Sequence, residues 1–106
     1  DKAVEYYGRA LAKNPKNPFY MTELGDVYLS HHQPDLSVRF YRDALRLEPF
    51  YLYPRFQLAQ FAMVQGQKQE AARNLNVIQK ILDARLPADS DYNRRLLSLP
   101  ARPPAK

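Results

Sequence analysis

Two adjacent histidines, His31-His32, are the only histidines in the chain. On a helix, neighbouring residues point about 100° apart. The pair therefore cannot close on one metal ion as histidines at i and i+4 can. A polar helix end, where histidine suits the helix dipole, accounts for them. Glu23 and Asp26 stand three residues apart. That spacing puts two carboxylates on one helix face, and acid–base work would further require a cleft and a raised pKa. No glycine-rich phosphate loop and no Ser/His/Asp arrangement is legible. With no cysteine, disulfides, thiolate chemistry and cysteine-based zinc sites are excluded. The expectation is a chain without catalytic, metal or cofactor chemistry.

The elements that must carry these residues come from periodicity. FYRDALRLEP, Phe40 to Pro49, shares its template with YYGRALAKNP, Tyr6 to Pro15: an aromatic pair, a basic residue, Ala-Leu and a closing proline. The segments start 34 residues apart. A shift of 34 aligns Ala3 with Ser37 and Ala71, Tyr7 with Tyr41 and Leu75, and Ala10 with Ala44 and Ile78. Leu24-Gly25 falls on Leu58-Ala59, and Tyr28 on Ala62. Small stays with small and large apolar with large apolar, as packing demands when copies stack.

Within one copy, Met21, Leu24, Gly25 and Tyr28 share a helical face. A turn at His31-His32-Gln33-Pro34 follows, then a second amphipathic stretch through Leu36, Phe40, Ala44 and Leu47. Pro34 suits the first turn of a helix, and Pro49 ends one by withholding an amide. The next turn is Gln65-Gly66-Gln67. Each unit is then a pair of antiparallel helices. One pair cannot bury its apolar face alone, whereas stacked pairs can.

The chain resembles the tetratricopeptide repeat family. The carriers are Met21-x-x-Leu24-Gly25-x-x-Tyr28, Ser37-x-x-x-Tyr41, Ala44 and Pro49, then Arg55-x-x-Leu58-Ala59-x-x-Ala62, Ala71-x-x-x-Leu75 and Ile78. Ala3-x-x-x-Tyr7, Ala10 and Pro15 supply a leading half. Arg55 stands where the family has a bulky apolar residue, and Ile78 where it has alanine. The resemblance implies an all-α, tetratricopeptide-like helical-hairpin solenoid with a C-terminal capping helix. The divisions are 1–15, the second helix of a truncated repeat; 18–49 and 52–86, full repeats; 89–99, a capping helix bearing Tyr92, Leu96 and Leu99; and 100–106, a disordered tail. Val4, Tyr7 and Leu11 would lack cover, so a longer parent chain with further repeats upstream is expected. Such repeats are common as tails of bacterial proteins, including membrane-bound polysaccharide polymerases.

The resemblance also implies a function, a non-catalytic scaffold for protein–protein interaction. First helices of successive repeats, here Phe19 to His31 and Leu52 to Gln65, would line a concave groove. Phe19, Thr22, Glu23, Asp26 and Leu29 would face it from one helix. Tyr53, Phe56, Gln57, Gln60 and Met63 would face it from the other. A subset of the family binds C-terminal carboxylates through groove lysine, asparagine and arginine. The matching positions carry Thr22, Glu23, Asp26, Phe56, Gln57 and Gln60, none of them basic, so a C-terminal carboxylate is rejected as ligand. A neutral, apolar or basic peptide segment is the natural partner. The alternative is self-association, a homodimer formed through the truncated N-terminal helix.

Arg39, Arg42 and Arg46 stand at helical spacing, with Arg73 and Lys80 one repeat after Arg39 and Arg46. They form a basic ridge on the expected convex side, in a chain of net charge +5. Such a ridge could meet phosphate or anionic lipid. No aromatic residues interleave with these arginines to stack on bases, which disfavours nucleic acid. Membrane contact is expected only through this ridge or the parent chain. No apolar run nears the roughly 20 residues that span a bilayer. The lack of cysteine fits a reducing compartment, so the expected location is cytoplasmic, with a periplasmic or membrane-tethered parent as the other possibility.

Overall fold

The computed structural model describes residues 1–84. Among them are five α-helices: α1 (Lys2–Lys13), α2 (Pro18–Ser30), α3 (Pro34–Leu47), α4 (Leu52–Val64) and α5 (Lys68–Asp83). The expected capping helix at 89–99 and tail at 100–106 lie outside the described residues. No described helix is long and apolar enough to cross a membrane.

Local chemistry starts and stops each helix. Asp1 caps α1 by accepting from the Ala3 amide at 2.7 Å. Asn17 caps α2, accepting from the Phe19 and Tyr20 amides, and Pro18 fills the first position, where a missing amide costs nothing. Pro34 opens α3 in the same way. The turns after α2 and α4 share one form. The Gln33 amide donates to the Tyr28 carbonyl and the His32 amide to Leu29; the Gln67 amide donates to Ala62 and the Gly66 amide to Met63. This pattern needs a left-handed residue just past the helix. His32 has φ 59° and Gly66 has φ 74°, and the two lie 34 positions apart.

Each helix packs on the next in sequence, most extensively α2 on α3 and α4 on α5. Tyr28 stacks on Phe40 with centroids 5.6 Å apart, while Gly25 meets Tyr41. Contacts that advance on one helix as they retreat on the other are those of an antiparallel pair. Gly25 is small for a reason of space. A Cβ there would lie 2.6 Å from Cε1 and 2.9 Å from Cδ1 of Tyr41. The core comprises Leu24, Tyr41, Ala44, Leu58, Ala59, Ala62, Ala71 and Ile81, with Tyr51 and Leu52 sealing the α3–α4 link. No residue of α1 is buried. Tyr7 reaches Tyr20 with centroids 6.4 Å apart, and Tyr6 is 66% exposed.

Arg55, the departure from the family pattern, is half-buried at the start of α4. Its guanidinium donates to the Pro49 carbonyl at 3.0 Å and lies 3.4 Å from Asn74 Oδ1. It thus ties the α3–α4 link to α5. Burial lowers its pKa, and a guanidinium remains charged in a protein regardless.

Candidate functional site

The groove between α2 and α4 holds a hydrogen-bonded centre. Asp26 on α2 accepts from the Tyr41 hydroxyl of α3 at 2.5 Å on Oδ1, and from the Tyr53 hydroxyl of α4 at 2.9 Å on Oδ2. Gln57 Nε2 lies 3.5 Å from the Tyr41 oxygen. One carboxylate therefore links three helices. Burial raises the Tyr41 pKa, and the hydrogen bond and negative charge of Asp26 raise it further. Tyr41 is thereby held as a neutral donor well into the alkaline range.

The residues expected to face the groove do not share one environment. Thr22 is fully buried, because its hydroxyl donates back to the Pro18 carbonyl at 2.8 Å and needs no solvent. It offers no surface to a ligand. Gln57 is also buried, committed to the Tyr41 network. Phe19, Glu23, Asp26, Tyr53 and Gln60 are partly exposed. Phe56 is 37% and Met63 61% exposed. Tyr41 was absent from the expected site. Its alignment with Leu75 marks it as a large core residue and hides its hydroxyl.

Beside this centre lies a cavity of about 530 Å³ between the C-terminal halves of α2 and α4. Leu29, Pro34, Phe61 and Val64 wall it, and His32, Gln57 and Gln60 form its polar side. On α4, Tyr53, Gln57, Gln60 and Val64 recur at helical spacing and so line one strip.

The other candidate chemistry resolves into local structure. His31 caps the end of α2 and places Nε2 2.7 Å from Asp1 Oδ2, joining α2 to the start of α1. His32 makes the left-handed turn. No group of three His, Cys, Asp or Glu side chains among the described residues could hold a metal ion. On the basic ridge, Arg39, Arg42 and Arg46 are exposed. Arg46 pairs with Asp43 at 2.8 Å and Arg73 with Glu70 at 2.7 Å. The Arg73 hydrogen bond holds the Glu70 carboxyl below its ordinary range. Compared with known proteins, the chain matches no family model and no curated relative.

Proposed function

We propose that the chain is a non-catalytic, tetratricopeptide-like interaction module that holds a peptide segment of a partner protein in the groove between α2 and α4. One observation carries this reading. Apolar surface at Leu29, Phe56, Met63 and Val64 remains exposed beside a polar centre, Asp26–Tyr41–Tyr53, that locks three helices in a fixed relation. Rigid aromatic and apolar anchors next to oriented polar groups suit peptide capture, because little order is lost on binding. The matching turns at His32 and Gly66 support the repeat reading.

The test is affinity capture from cell lysate with the native chain and a Phe56→Ala/Gln60→Ala variant of equal helicity and Tm. A partner retained by the native chain and lost by the variant is the expected result. Equal retention by both refutes the groove as the working surface.

A second reading is self-association through α1. It is favoured by a helix with no buried residue and by a cavity of about 680 Å³ bordered by Tyr6, Ala10 and Tyr20. It predicts a mass that rises with concentration and returns to monomer in Tyr6→Glu.

A further inference from the structure

The basic side chains of α3 and α5 border a recess. Two adjoining cavities, of about 570 and 270 Å³, share Arg42, Gln67 and Glu70 in their walls and so make one cleft between α3 and the start of α5. Four cations line it, Arg39 and Arg42 from α3 and Lys68 and Arg73 from α5, against two carboxylates, Asp35 and Glu70. Two positive charges therefore stand in excess. Among the described residues, no carboxylate makes a salt bridge with Arg39, Arg42 or Lys68. Glu70 is committed elsewhere. It accepts from Arg73 at 2.7 Å, and that bond, with the charges of Arg73 and Arg42, holds its carboxyl below its ordinary range. Arg39 and Arg42 stand three residues apart on α3, which puts them on one helix face as neighbours about 5–6 Å apart at Cβ.

The remaining wall is carbon. Leu58 and Phe61 come from α4 and Val38 from α3. Val38 and Phe61 are partly exposed, so a ligand can rest on them. Such walls also strengthen the field of the cations beside them, because they hold back the water that would screen it.

Charge and size together set the ligand class. Each guanidinium offers paired N–H donors that match two oxygens of a phosphate. A phosphate monoester carries about −1.5 to −2 at neutral pH, which balances the excess, whereas a carboxylate or a sulfate ester brings a single charge. The cleft is larger than a phosphate group needs and falls in the range of about 300–1,000 Å³ that takes small organic molecules. We propose that it binds a small soluble molecule bearing one phosphate monoester. The phosphate sits among Arg39, Arg42 and Lys68, and the carbon body lies against Val38 and Phe61.

The test uses the full chain, isotopically labelled, with phenyl phosphate as probe and amide NMR as readout. The expected result is a saturable set of shifts at Arg39, Arg42, Gly66 and Lys68. In Arg39→Gln/Arg42→Gln, of unchanged helicity and Tm, the Kd should rise at least about tenfold, the effect of losing charge-assisted hydrogen bonds. Arg46→Gln removes a cation that pairs with Asp43 outside the cleft and should leave the Kd unchanged. Phenyl sulfate, similar in shape with one charge fewer, and inorganic phosphate, which lacks the carbon body, should each bind several-fold more weakly. Equal binding of either one overturns the proposal, as does a Kd indifferent to the arginine pair. Binding to vesicles of phosphatidylcholine and phosphatidic acid, with no shifts from phenyl phosphate, also overturns it by assigning the cations to a lipid surface. Phe56→Ala/Gln60→Ala, which tests the peptide groove, should bind phenyl phosphate as the native chain does, so either reading can fail alone.

Discussion

Tyr41 joins two roles in one side chain. Its ring fills the space left by Gly25, and its hydroxyl holds Asp26. Tyr41→Phe keeps the ring and removes the donor, leaving one oxygen of Asp26 without that bond. The expected loss is about 1–3 kcal/mol, read from urea denaturation. The pH dependence follows from the raised pKa. The folded state favours the neutral phenol, so this stabilisation is whole below the unfolded tyrosine pKa of about 10 and falls as pH rises above it. Tyr41→Phe should flatten that alkaline decline when stability is measured between pH 8 and 11. Two helical glycines should answer oppositely to alanine. Gly25→Ala pushes the Tyr41 ring off Asp26 and should cost about 1–3 kcal/mol. A methyl group at Gly8 would meet no atom within 4 Å, so Gly8→Ala should stabilise α1 by about 0.5–1 kcal/mol.

At the scale of elements, the two hairpins share one turn made with different residues. A non-glycine residue in the left-handed region costs about 1–2 kcal/mol, although histidine enters it more readily than branched residues do. His32→Gly relieves that cost while loosening the unfolded chain. The expected net gain is up to about 1 kcal/mol, seen as a higher Tm. Gly66→Ala should lose about 1 kcal/mol for the converse reason. Both helix pairs were legible in the sequence because prolines and turn residues bracket stretches of helical period. The expected first helix Phe19 to His31 is observed as Pro18–Ser30, and Leu52 to Gln65 as Leu52–Val64. Thr22 was not legible as a buried residue. Its position on the helix face suggested the groove, and only its bond to Pro18 permits burial.

Across the whole molecule, cover is uneven. Tyr41, Ala44, Tyr51, Leu52, Ala59, Ala62 and Ala71 are almost fully buried, while α1 buries no residue. Local opening should follow this gradient. Amide hydrogen exchange is therefore expected to be fastest in α1 and slowest in the middle of α2, α3 and α4. Protection in α1 equal to that in α3 would show that α1 has cover from elsewhere, as the self-association reading requires. The sequence alone determined the all-helical architecture, because helical period, caps and prolines act within a few residues of one another. Tertiary structure decided the centre of the groove. Asp26 meets Tyr41 and Tyr53 across 15 and 27 residues of chain, and Arg55 reaches Asn74 across 19. Hydrogen bonds of that range depend on which helix faces meet. A pattern of residue sizes records that a face is buried, but not which polar groups the packing brings within reach.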